Sequence, residues 1–124
     1  MKKNNQLESL TKVEEQVMQY IWNLGECLVS DIIKEMGDTE IPHSTISSVV
    51  RILERKNYVD HKTYGKTHLY FPLVPKEDYA NAHINKLVKN YFDNSPSELV
   101  SFLVKNEKLD IQELNELYKL LKKK

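Results

Sequence analysis

The sequence predicts a mainly α fold with a small β-hairpin near its middle and a separate helical module after it. Three observations carry this expectation. Apolar residues recur at helical spacing in three stretches before Asn57. The segments 57–63 and 67–73 are rich in β-branched and aromatic residues, and Tyr64-Gly65-Lys66 separates them. Beyond Pro72 and Pro75 the helical spacing returns. With 124 residues, 40% hydrophobic and 29% charged, the chain can bury a core and falls outside the disordered class.

Each element has its own signals. Thr11-Lys12-Val13-Glu14 is a capping box, in which a hydroxyl and a carboxylate satisfy two free amides at a helix start. Val13, Val17, Tyr20, Ile21 and Leu24 follow on one face, and Gly25 suits the left-handed stop. Leu28-Val29 reads as a very short strand or extended link. Ser30 is placed to cap a second helix, Asp31 to Met36, that buries Ile32, Ile33 and Met36 and stops at Gly37. A third helix runs from Pro42 or His43 to Lys56, since proline is tolerated in a first turn. Ile46, Val49, Val50 and Leu53 form its core stripe. Helix, short strand, helix, helix, hairpin is the order of a winged helix-turn-helix, here assigned to residues 1–74.

Residues 75–124 read as a three-helix dimerisation module. One helix is expected from Lys76 to Phe92, with Ile84, Leu87, Val88 and Tyr91 on its apolar face. Ser95-Pro96-Ser97 opens a second, and Asp110-Ile111-Gln112-Glu113 opens a third. Helices this short bury little apolar surface alone, so a second copy is the natural completion. Leu87, Tyr91, Leu99, Phe102, Leu103, Leu114, Leu117 and Leu121 are the expected homodimer interface.

The net charge is zero, but its distribution is uneven. From Glu8 to Glu40 there are eight acidic residues against Lys12 and Lys34. From His43 to His68, Arg51, Arg55, Lys56, Lys62 and Lys66 face only Glu54 and Asp60, and three of the four histidines lie there too. A locally basic face in a winged helix-turn-helix points to double-stranded DNA. The third helix would enter the major groove, with Ser44, Thr45, Ser47, Ser48 and Arg51 at base edges. His43, Arg55, Lys62 and Lys66 are the candidates for backbone contacts. Lysines beside a hairpin tip also discourage edge-to-edge aggregation, and both roles are compatible. The alternative is a protein-interaction module that uses the winged fold without DNA.

Other chemistry finds little support. HExxH, Gly-rich phosphate loops, nucleophile elbows and CxxC are missing, and three glycines leave little room for a nucleotide cradle, so neither enzyme nor cofactor is expected. His61 and His68 face each other if the hairpin turn has two residues, a pairing that can ligate zinc; with no third ligand predictable nearby, no metal is assigned. Cys27 is the one cysteine, so no intrachain disulfide forms, and apolar neighbours make it a buried small hydrophobe rather than a redox sensor. The polar Met1–Leu10 stretch is no signal peptide, and no run nears the roughly 20 apolar residues of a membrane span. A cytoplasmic protein with no membrane insertion is expected.

The chain resembles the penicillinase-repressor family along nearly its whole length. The marks are Val13-Glu14, Val17-Met18 and Ile21-Trp22 in the first helix, then Thr45-Ile46 with Leu53 in the third. Gly65 with Tyr70-Phe71-Pro72, Leu99-Val100, Lys105-Asn106-Glu107 and Glu113-Leu114 with Glu116-Leu117 continue the pattern. The resemblance implies a homodimeric repressor of transcription on a palindromic operator, responsive to antibiotic or other stress, with the C-terminal helices as dimer interface. In the antibiotic-responsive branch a membrane sensor-protease system triggers cleavage of an Asn-Phe bond. Ungapped comparison puts that candidate proteolytic site at Phe102-Leu103, where the Asn is missing. The copper-responsive branch has a C-terminal cysteine cluster, which this chain lacks.

Overall fold

The structure, a computed structural model, describes residues 7–106, 108 and 110–122. Its first helix, α1 (Lys12–Leu24), opens on the predicted capping box: the Glu14 amide donates to Thr11 Oγ1 at 3.2 Å and the Thr11 amide donates to Glu14 Oε1 at 3.0 Å. The sequence gives no sign of what else Glu14 does. It is 6% exposed, and Lys56 Nζ reaches its Oε1 at 2.7 Å while also donating to the Ser9 carbonyl at 3.0 Å. Burial alone would raise the Glu14 pKa, but the Lys56 hydrogen bond and then the Thr11 amide outweigh it and hold the carboxyl below its ordinary range.

The second helix, α2, spans Val29–Met36 and so starts earlier than its sequence signals. Leu28 is its extended N-cap, and the Asp31 carboxylate accepts the Leu28 amide at 2.8 Å; Ser30 lies inside the first turn and does not cap. A carboxylate in the first turn reaches back to the cap amide, and that interaction won over the hydroxyl. The strand-like residue of this link is Cys27, whose amide and carbonyl pair with those of Tyr70 at 2.9 and 2.7 Å. The third helix, α3 (His43–Arg55), buries Ile46, Val49, Val50 and Leu53 as expected.

Strands β1 (Val59–Tyr64) and β2 (Thr67–Pro72) form the antiparallel hairpin. Tyr64 pairs with Thr67, which leaves a two-residue turn rather than three. Gly65 has φ +63°, suiting a II′ turn in which only the first central residue needs positive φ. In this register His61 lies opposite Tyr70 and Thr63 opposite His68. The two histidines are therefore diagonal neighbours rather than cross-strand partners, and their rings stack at 3.9 Å and 13°.

The chain divides into two compact units, Met1–Ala80 and Asn81–Lys124. In the first, α1, α2, α3 and the hairpin share one core that includes Met18, Ile21, Ile32, Leu53, Tyr58 and Tyr70. Helix α4 (Lys76–Tyr91) begins in this unit, and its Tyr79 joins the core. Tyr79 packs against Trp22 and Tyr58 at 5.4 and 5.8 Å and donates to Glu15 Oε2 at 2.9 Å. Trp22 Nε1 donates to the Val74 carbonyl at 2.8 Å, so each buried aromatic handle has a partner. Burial, with Glu8, Glu14 and Glu15 adding to it, pushes the Tyr58 phenol up to about 12.

In the second unit, α5 (Pro96–Lys105) is capped by Ser95 and α6 (Ile111–Lys122) opens on a box between Asp110 and Glu113, both as read from sequence. Val88 is buried, and Phe92 packs on Phe102 at 5.4 Å. Of the expected interface residues, Leu87, Tyr91 and Phe102 are exposed, Tyr91 by 75%, and Leu99, Leu103 and Leu114 are half-buried. Leu117 and Leu121 lie outside the described side chains. Phe102 and Leu103 sit inside α5, so the bond between them is helical.

Removing Lys56 would strand a buried carboxylate. Lys56→Met is expected to lower unfolding stability at neutral pH by about 2–3 kcal/mol in urea titrations. Because the folded Glu14 pKa lies below its ordinary 4.5, its stabilisation is present above that value and lost as pH falls through the folded value. The gap between wild type and variant should therefore close in acid.

Candidate nucleic-acid interface

Helix geometry sorts the α3 candidates onto one ridge and its flanks. Ser44, Ser48, Arg51 and Arg55 recur at i, i+4, i+7 and i+11 opposite the core stripe, and all four are exposed. Ser47 and Thr45 are half-buried on opposite flanks of that ridge. The Ser48 hydroxyl donates to the Ser44 carbonyl at 3.1 Å, which leaves its lone pairs outward. His43 is exposed at the helix start, where Pro42 is the N-cap and no side chain caps the helix. The Thr45 amide turns back to the Pro42 carbonyl at 3.0 Å, and the His43 and Ser44 amides ahead of it can meet an anionic group.

The hairpin stands beside this ridge. An open groove of about 510 Å³ runs between the start of α2, α3 and the hairpin, lined among others by Ser30, Ser47, Arg51, Lys66, His68 and Tyr70. Arg51 and Lys66 thus bring two cations from different elements to one concavity. Tyr70 is 5% exposed and forms part of its floor, with its phenol pKa raised by burial first and Glu54 next. Tyr64 is exposed near the hairpin tip, a position the sequence did not single out.

The basic residues of segment 43–68 do not all serve this surface. Lys56 is turned to Glu14, as described above. Lys62 pairs with Glu26 at 2.8 Å, with both side chains more than half exposed. Such an exposed pair contributes little and leaves Lys62 able to exchange partners. His61 Nδ1 meets Glu54 Oε2 at 2.8 Å, linking the hairpin root to α3. Arg51, Arg55 and Lys66 make no ion pair among the described residues. Glu26 and Glu54 were invisible as partners because their contacts depend on tertiary packing rather than on spacing.

This arrangement is a helix ridge beside a groove that Arg51 and Lys66 line, with the hairpin as a wing. The family profile described as penicillinase repressor matches residues 10–123. The chain belongs to the penicillinase-repressor family. Among relatives, the penicillinase repressor of Bacillus licheniformis is 25% identical over 116 residues, covering 93% of this chain and 91% of that protein. The methicillin resistance regulatory protein MecI of Staphylococcus aureus (strain N315) is 29% identical over 126 residues, covering 98% and 99%. The solution structure of the DNA binding domain of the repressor BlaI superposes with a TM-score of 0.53 at 25% identity, covering 61% of this chain and 94% of that one. In this member of the penicillinase-repressor family no helix among the described residues is long and apolar enough to cross a membrane.

Cys27 lies next to the groove in sequence but is 1% exposed, and burial, then Asp31, pushes its thiol up to about 11. Iodoacetamide at neutral pH should therefore label the native protein far more slowly than the urea-unfolded chain, as followed by mass spectrometry. Equal rates would show that the link between α1 and α2 opens readily.

Proposed function

We propose that this chain is a transcriptional repressor that binds double-stranded DNA as a homodimer on a palindromic operator. The observation that carries the reading is the joint placement of Arg51 and Lys66 in one groove beside the Ser44–Ser48 ridge. In this role α3 lies in the major groove with Ser44, Thr45, Ser47, Ser48 and Arg51 at base edges, where short hydroxyl side chains allow close approach and Arg51 offers a bidentate fork. His43, Arg55, Lys62 and Lys66 face the phosphates, with Lys62 exchanging Glu26 for a phosphate oxygen. The naming of the BlaI domain as DNA binding, and of the other relatives as repressor and regulatory protein, supports the same reading.

The apolar residues exposed on the second unit support the dimer. Ile84, Leu87, Tyr91, Val100, Phe102 and Ile111 are all exposed on one chain, which is costly unless a partner covers them. Release from DNA through a membrane sensor-protease system belongs to the same proposal. It requires α5 to unwind first, because the Phe102-Leu103 bond is helical and lacks the family's Asn.

Fluorescence anisotropy with operator DNA tests the assignment of roles. Arg51→Ala should cost about 1–3 kcal/mol and reduce discrimination between operator and altered sequences. Lys66→Ala should weaken binding to all sequences alike and lower the salt slope by about 0.9. Native binding in both variants would move the winged fold to a protein-binding role. Light scattering should give about twice the 14.6 kDa of one chain, and Leu87→Asp should shift the mass toward the monomer. A monomeric wild type would remove the homodimer from the account.

A further inference from the structure

One polar cluster at the root of the wing takes no part in the proposed DNA contacts. Glu54 on α3 and Asp60 and His61 on β1 each offer one ligand atom, and these three atoms lie within 4.8 Å of one another. Glu54 and His61 are half-buried and already in contact, Oε2 to Nδ1 at 2.8 Å. Asp60 is held beside them because its Oδ1 accepts the His61 amide at 2.8 Å, which leaves its other oxygen without a hydrogen bond among the described residues. His68 stacks on the His61 ring at 3.9 Å and 13°, fixing the plane in which its nitrogens point.

We propose that Glu54, Asp60 and His61 form a divalent transition-metal site that ties the third helix to the root of the wing. The distances suit the chemistry. Nitrogen and carboxylate ligands sit about 2.0–2.2 Å from zinc, so two ligands on a tetrahedral ion are roughly 3.3 Å apart. The Glu54–His61 contact would open by about half an ångström from 2.8 Å, and the exposed Asp60 carboxylate closes the third position by side-chain rotation. An imidazole among the ligands favours zinc or a neighbouring transition metal over magnesium or calcium. Three protein ligands leave one position for water, and the stacked His68 supplies the ring orientation that a metal-bound histidine needs. Without the ion, the same residues keep the direct Glu54–His61 bond. With it, the wing root and α3 share a bridge of three ligands in place of one half-buried hydrogen bond.

This inference goes beyond the DNA-binding reading and stands or falls without it. Its test is calorimetric titration of zinc chloride into the full metal-free chain, repeated with cobalt to read the ligand field. Saturable binding of a single ion per chain is expected, weakened by at least about tenfold in Asp60→Asn and in His61→Gln, and unchanged in His83→Gln. Asp60 is exposed, so Asp60→Asn tests the site even where His61→Gln disturbs the stack. No saturable binding, or binding of wild-type strength in both site variants, would overturn the proposal.

Discussion

Two backbone hydrogen bonds between Cys27 and Tyr70 decide where the wing sits, and the candidate interface follows from that position. A two-stranded hairpin alone is marginal in water. Here β2 gains a second neighbour from the link between α1 and α2, and the same register sends Val59 and Tyr70 into the core. Because Cys27 also lies between the two helices that pack with α3, this short segment, the shared core and the His61–Glu54 contact together fix the helix ridge and the wing against one another. The Cys27 thiol is packing material at this crossing, 1% exposed within the shared core.

Electrostatics follow the same packing. The sequence concentrates basic residues between His43 and His68, but two of the cations are taken up by carboxylates, Lys56 by Glu14 and Lys62 by Glu26, and the His61 ring is in contact with Glu54. What is left without an ion pair among the described residues is Arg51, Arg55 and Lys66, from the α3 ridge and the wing tip. A protein of zero net charge can thus present a focused cationic groove, since only local charge acts within a Debye length of roughly 8–10 Å. The Glu14–Lys56 pair does a different job. It joins the start of α1 to the end of α3, the helix that carries the ridge.

Much of this fold was legible in the sequence because local chemistry and tertiary packing agree. Thr11, Ser95 and Asp110 cap where the pattern says they should, and the α3 stripe is buried as read. Misreadings fall where two local signals competed or a contact was long-range. Asp31 outcompeted Ser30 at the start of α2. Tyr64 joined the ladder, so the two turn residues are Gly65 and Lys66 rather than Tyr64 and Gly65, and in that register His61 and His68 are diagonal rather than facing. The α3 ridge was recoverable from helical spacing alone, whereas the groove that pairs Arg51 with Lys66 required the wing's placement. Glu26, Glu54 and Asp60 gave no sequence signal, because nothing in their neighbourhoods reveals which cation or ring they will meet.

The central claim is that the ridge and groove read DNA sequence. Its most direct test is binding of the full chain to DNA from the protein's own upstream region and to a scrambled duplex, across a salt series. The account predicts tighter binding to the native sequence, with log affinity falling by about 0.9 per log unit of salt for each phosphate neutralised, and a slope that reflects several contacts. Equal affinity for both duplexes would contradict sequence reading at this operator. Failure to bind either at low salt would contradict the DNA interface itself.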